Sequence, residues 1–171
     1  MVHLARLILA TLLVALAVTV PAGAAGVHGT VSHVTDGDTL WVRAPGAADA
    51  TQVRIQGIDA PEICQAFGLE ARAALAAHIL HRQVQVSVKA RDMYQRAVGR
   101  VSAQGQDVGA WLVAGGYAWS SRYRGRAGPY AAQEQQARVA RRGLWAGQEP
   151  LEPRAFRKRH GSCREGAMSG R

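Results

Sequence analysis

At 171 residues, with 48% of them hydrophobic and 19% charged, the chain suits one globular domain with a real core and excludes a disordered polypeptide. Lys and Arg number 21 against 12 Asp and Glu, a formal net charge of +9. That surplus favours polyanionic partners, although a solvated basic surface, a membrane or an acidic partner would account for it as well.

Residues 1–24 read as an export signal. Arg6 precedes an apolar run from Leu7 to Val20, and Pro21-Ala22-Gly23-Ala24 supplies an A-x-A cleavage pattern. The run is short for a membrane span, which needs about 20 residues. The mature chain is expected to begin near Ala25 and to be secreted or periplasmic; an uncleaved anchor is the alternative.

The mature chain opens with a loosely alternating strand, Val27 to Val34. A turn at Asp36-Gly37 leads into a second strand, Thr39 to Arg43. The hydrophilic stretch from Pro45 to Ala50 links it to a third strand over Thr51 to Ile58. Ala66 to His81 has a helical pattern, with Leu69, Ala73, Ala76 and Leu80 on one face. Gln83 to Lys89 alternates strictly through Val84, Val86 and Val88, and Ala97 to Ala103 gives a fifth strand. Asp107 to Ala114 is a second helix closed by Gly115-Gly116; Tyr130 to Arg142 is a third, closed by Gly143. Residues 148–171 follow the domain of residues 25–147 as a basic tail carrying Arg154, Arg157, Lys158 and Arg159, expected to be mobile and solvated.

Five short strands with a helix between the third and fourth fit an α+β fold built on a small Greek-key barrel of the OB type. An open sheet with helices on one face fits the same order.

The chemistry-bearing residues crowd between Asp36 and Glu62. Asp36 and Asp38 flank a turn glycine, and Asp59 stands where the third strand ends. If the second and third strands pair as a hairpin, Asp38 and Asp59 converge. Two such carboxylates repel unless a cation lies between them, and oxygen donors suit a hard ion such as Ca²⁺ or Mg²⁺. Taken singly, these acids also read as turn and helix-start residues. Arg54 and Arg96 are candidates for gripping a phosphate diester and its transition-state charge. On a continuous strand, however, Arg54 and Asp59 would project to opposite faces. Tyr94 and Tyr123 lie in arginine-rich loops and are candidate base-stacking platforms. His78 and His81 lack a third metal ligand and read as exposed helix residues. Trp111, Trp119 and Trp145 read as core. No Walker loop and no Gly-x-Ser-x-Gly elbow occurs. Cys64 and Cys163 are the two cysteines. Export makes a disulfide between them the expectation, with two unrelated thiols as the alternative; the bond would staple the basic tail beside the Glu62 loop and hold Arg157, Lys158 and Arg159 where they could meet a nucleic-acid backbone.

Val34-Thr35-Asp36-Gly37-Asp38-Thr39, followed by Arg54-Ile55-Gln56-Gly57-Ile58-Asp59-Ala60-Pro61-Glu62, resembles the signature of the staphylococcal nuclease family. The similarity continues through Phe67-Gly68-Leu69-Glu70-Ala71, Asp92-Met93-Tyr94-Gln95-Arg96, Val113-Ala114-Gly115-Gly116-Tyr117-Ala118, Gln136-Ala137-Arg138 and Gly143-Leu144-Trp145. It thus covers nearly all of residues 27–146. The resemblance implies a five-stranded OB-type barrel with three helices and a Ca²⁺-dependent nuclease acting on DNA and RNA. It implies Asp38, Asp59 and the Ala60 carbonyl as calcium ligands, Arg54 and Arg96 as phosphate-binding arginines, and Glu62 as general base. Asp36 matches an acid that shapes the site, and Tyr94 a tyrosine near the bound nucleotide. The sequence departs from the family at Gln95, where Gly is usual, and in a shortened loop after Glu62. That loop carries Cys64, and the tail with Cys163 has no counterpart in the best-known member.

Two readings follow: a metal-dependent phosphodiesterase, expected to be monomeric, or a barrel that binds nucleic acid without cutting it. Glu62 discriminates between them, since a binder needs the arginines but not that carboxylate.

Overall fold

The structure, a computed structural model, describes residues 26–147, 150–161 and 163. The expected export signal lies outside the described residues. Strand β1 (Gly26–Val34) pairs antiparallel with β2 (Thr39–Arg43), and β2 with β3 (Thr51–Ile55). β1 also pairs antiparallel with β5 (Gln83–Arg91), and β5 with β6 (Ala97–Ala103). β3 runs parallel to β6, with Val53 opposite Ala97 and Ile55 opposite Gly99. This last pairing closes the five strands into a barrel and leaves the main ladder without a free edge.

The expected third strand divides. β3 ends at Ile55, and a two-residue β4 (Ile58–Asp59) pairs with β8 (Trp119–Ser120). Gly57 lies between them at φ +83°, a backbone region that glycine enters without steric cost. β7 (Gln106–Asp107) extends the sheet beyond β6.

Inward residues of alternate register fill the barrel: Val31, Leu40, Val42, Val53, Ile55, Val84, Val86 and Val101 are all buried. Helix α1 (Gly68–Ile79) closes one end of it with Leu75 and Ile79. Its buried face is Gly68, Ala71, Leu75 and Ile79, not the expected Leu69, Ala73, Ala76 and Leu80. Leu69 is 50% exposed. Alanines carry too little apolar area to set the phase of a helix. Here the phase follows its first residue: a Cβ on Gly68 would stand 2.0 Å from the Glu62 carbonyl oxygen.

Helix α2 (Val108–Ala114) is N-capped by Asp107, whose carboxylate accepts from the Ala110 amide. Helix α3 (Ala131–Val139) is shorter than expected and is followed by a 3₁₀ turn, Gly143–Ala146. Trp119 and Trp145 meet edge-on in a second small core with Ala137 and Leu144. Trp111 is only partly buried and stacks flat on His78, ring centroids 3.9 Å apart. His81 follows the end of α1 and is exposed.

The described part of the tail, residues 150–161 and 163, departs from the default expectation of a mobile, solvated end and follows the stapled one. Helix α4 (Pro153–His160) begins with Pro at its first turn and carries Arg157, Lys158, Arg159 and His160 in its last. Both placements suit a helix, because Pro tolerates the first turn and cations favour the negative C-terminal end.

Candidate active site

The hairpin register builds the site. Thr39 lies opposite Arg54, and the Ile55 amide donates to the Asp38 carbonyl at 2.8 Å. Asp38 therefore sits beside Arg54, whose Nη1 donates to its Oδ1 at 2.7 Å. Because the chain turns at Gly57 instead of continuing as a strand, Asp59 comes back to the same side. Arg54 Nη2 donates to Asp59 Oδ1 at 3.0 Å. One guanidinium thus bridges the two aspartates. The Asp38 charge, opposed by burial and helped by Asp59, holds Arg54 above its ordinary pKa.

Asp38 is buried and well satisfied: Thr39 Oγ1 donates to its Oδ1 at 3.0 Å and the Ala60 amide to its Oδ2 at 3.1 Å. Asp36 takes the strain of the pair. Burial and the neighbouring Asp38 charge push its carboxyl up to about 7, although its Oδ1 accepts from the Asp38 amide at 3.0 Å. A cation beside these acids would relieve that repulsion.

Arg96 arrives from the start of β6. Asp92, four residues earlier, accepts from Arg96 Nε at 2.7 Å and from the Tyr94 and Arg96 amides at 2.9 and 3.0 Å. Burial works against the Asp92 charge, but these bonds hold its pKa below the ordinary value. The clamp aims Arg96 at Thr39, 3.5 Å from its Oγ1. Tyr94 is 70% exposed, with the Arg96 guanidinium 5.3 Å from its ring centroid.

Asp36, Arg54, Glu62, Tyr94, Arg96 and Arg157 line one open cleft of about 600 Å³. A cleft of similar size, about 620 Å³, opens elsewhere, beside Trp41 and Asp49. It holds one carboxylate and one arginine, Arg43, and no acid pair. Tyr123 is 71% exposed, packs under Arg124 and does not line the cleft with Tyr94.

The loop after Glu62 is fastened to the C-terminal segment three times. Arg157 Nη1 donates to Glu62 Oε1 at 2.6 Å, and Nη2 reaches Asp59 Oδ2 at 3.4 Å. Cys64 is bonded to Cys163. Gln65 Nε2 donates to the Leu151 carbonyl at 2.6 Å. Burial opposes the charge of Arg157, yet Glu62 and Asp59 outweigh it and raise its pKa. Gln65 and the Asp92 clamp are the site residues that the sequence reading passed over, and Arg157, expected to face the nucleic-acid backbone, bonds Glu62 and Asp59 instead. Of these only Asp92 left a local signal, its spacing of four from Arg96.

The donor set toward a metal is all oxygen, which suits a hard cation. Among the described residues, no three His, Cys, Asp or Glu side chains converge as a ready-made cage. The acid pair would need backbone carbonyl and water to complete a shell.

Comparison with known proteins places the chain in a family. The profile of the family described as staphylococcal nuclease homologue matches residues 52–147, which hold Arg54, Asp59, Glu62 and Arg96. The chain is 37% identical over 167 residues to Protein ParB of Escherichia coli, covering 91% of this chain and 93% of that one. It is 39% identical over 158 residues to Micrococcal nuclease of Shigella flexneri, covering 85% and 88%. It is 33% identical over 128 residues to an uncharacterized endonuclease of Haemophilus influenzae, covering 75% and 71%.

Proposed function

Because this chain belongs to the staphylococcal nuclease family, we propose that it is a calcium-dependent nuclease hydrolysing phosphodiester bonds of DNA or RNA in the cleft between Arg54, Glu62 and Arg96. The observation that carries this reading is the convergence of two separately anchored arginines and a carboxylate on one open cleft beside an acid pair.

Each group has a task that its environment supports. Asp38, Asp59 and the Ala60 carbonyl would hold Ca²⁺, and the ion would supply positive charge to offset that of the bound phosphate. Arg54 and Arg96 bind the non-bridging oxygens; their planar forks suit two oxygens at once. Glu62 takes a proton from the attacking water, and its second oxygen accepts none of the bonds described above. Tyr94, exposed at the rim, offers a face to a nucleobase, and Tyr123 a second one further along the chain. The basic surface draws the polyanion without reading its sequence. One chain supplies every group named, so the site needs no second copy to complete it, in keeping with a monomer. Residues 1–24 direct export to a secreted or periplasmic location, where the Cys64–Cys163 bond is stable. Residues 25–147 form the nuclease domain, with the C-terminal segment as an appendage.

The purified mature protein tests this directly. Cleavage is expected with Ca²⁺, weakly with Mg²⁺ and not in excess chelator; full activity with chelator overturns the metal assignment. Glu62→Gln is expected to cost about 10²–10⁴-fold in rate while nucleic-acid affinity is kept. The parent binding but never cutting would favour the non-catalytic barrel.

A further inference from the structure

The most heavily anchored part of the cleft is the segment Glu62 to Gln65. Three of its attachments run to the C-terminal segment, which lies beyond the stretch that the family profile matches. Among the described residues of that segment, Arg157 is the one bonded to the acids of the site. Its guanidinium bridges Glu62 at 2.6 Å and Asp59 at 3.4 Å. The Arg157 side chain is 33% exposed, so this is not a floating surface pair. Its backbone belongs to α4, and α4 is held between two attachments to the Glu62 loop: Gln65 to Leu151 before it, and Cys64 to Cys163 after it.

A carboxylate at the end of a flexible Glu side chain samples several rotamers, and a general base must meet its proton in one of them. Bonding one oxygen to a fixed guanidinium selects an orientation and leaves the other oxygen for the water. A lysine or a loop arginine would do this poorly, because holding the donor in place would itself cost side-chain entropy. Here a helix and a covalent bond carry that cost.

We propose that Arg157 is a positioning residue of the active centre, fixed on α4 by the Cys64–Cys163 bond, and that it orients the Glu62 carboxylate for proton abstraction. The proposal rests on the reading of Glu62 as the general base. Arg157 acts through Glu62, so its removal lowers turnover and leaves substrate affinity alone.

The test is a double-mutant cycle in the full mature protein, with kcat, KM and melting temperature measured for Arg157→Ala, Glu62→Gln and the pair. Arg157→Ala is expected to lower kcat by about tenfold to a hundredfold, the scale of a misplaced catalytic group, with KM within about twofold of the parent. Arg157→Lys, which keeps one donor, recovers part of the loss. In the Glu62→Gln background, the alanine substitution changes kcat by less than about twofold, because the base it orients is gone. If the alanine form melts lower, Arg157→Gln with an unchanged melting temperature replaces it.

Parental kcat in Arg157→Ala, with Glu62→Gln inactive, overturns the positioning role and leaves the nuclease reading intact. A raised KM at constant kcat would make Arg157 a substrate contact, and a faster variant would make α4 a block on the site; both overturn the proposal. A fully active Glu62→Gln would instead remove the general-base assignment, and this proposal with it.

Discussion

Arg54 Nη1 stands 2.7 Å from Asp38 Oδ1 because Thr39, the residue after Asp38, faces Arg54 across the β2–β3 ladder. The barrel's own register therefore fixes a charged pair at its rim. The Ile55 amide, donating to the Asp38 carbonyl at 2.8 Å, holds the two backbones in that register.

From that fixity, Arg54→Lys should be damaging although it keeps the charge. An ammonium cannot span Asp38 and Asp59 together or hold two phosphate oxygens in a plane. Losing one charge-assisted bond is worth about 1.5–3 kcal/mol, so kcat/KM should fall roughly tenfold to a hundredfold. Arg96→Lys should fall similarly, because the Asp92 clamp on Nε is lost. Steady-state kinetics with circular dichroism to confirm folding decides this; parental rates would make both arginines surface charge.

Gly68→Ala should lower activity through Glu62. An added Cβ would lie 2.0 Å from the Glu62 carbonyl oxygen, so the loop must move away from the helix. Overpacking of this kind costs about 1–3 kcal/mol. The measurement is melting temperature together with cleavage rate, and a variant matching the parent in both would show that the loop yields freely.

Reduction of Cys64–Cys163 should destabilise the protein. The bond closes a separation of 99 residues, for which chain entropy gives about 4–5 kcal/mol as an upper figure. A lower melting temperature under reductant is expected, and cleavage should fall at temperatures where the barrel is still folded, since α4 is then free to leave Glu62. Alkylation of both thiols in the untreated exported protein would contradict the bond.

His78 should make stability fall in mild acid. Burial, assisted by the Arg82 charge, lowers its pKa below 6.5 in the folded chain. Its Nε2 is buried without a hydrogen-bond partner among the described residues, and its ring lies flat on Trp111. The unfolded chain therefore takes up the proton first, and stability present above the unfolded value is lost as pH falls through it toward the folded value. Melting temperature followed from pH 7.5 downward should drop less in His78→Gln than in the parent. Equal slopes would clear His78 of the effect.

The barrel was legible because its strands alternate. Val84, Val86 and Val88 announce β5, and Val53 and Ile55 announce β3, whatever the rest of the chain does. The acids and arginines were legible because their strands are neighbours in sequence, so local pairing brings Asp38, Arg54 and Asp59 together. The buried face of α1 was misread, since Ala71 and Ala73 look alike until Gly68 is pressed against a carbonyl. Arg157 had no local signal at all. It reaches Glu62 across a sequence separation of 95, and its helix carries too few apolar residues to stand out from a solvated basic run. Pro153 after Glu152 was the one available mark of a helix start there.

The covalent ring from Cys64 to Cys163 also decides what a protease can do to this protein. Residues Ser121 to Ala127 are all exposed, and the stretch carries Arg122, Arg124 and Arg126, each an inviting cleavage point. A cut there falls inside the ring, so the two pieces stay joined through the disulfide. Helix α4 and its arginine would remain beside Glu62 after the backbone was severed. Nicked protein should run as one band without reductant and as two with it.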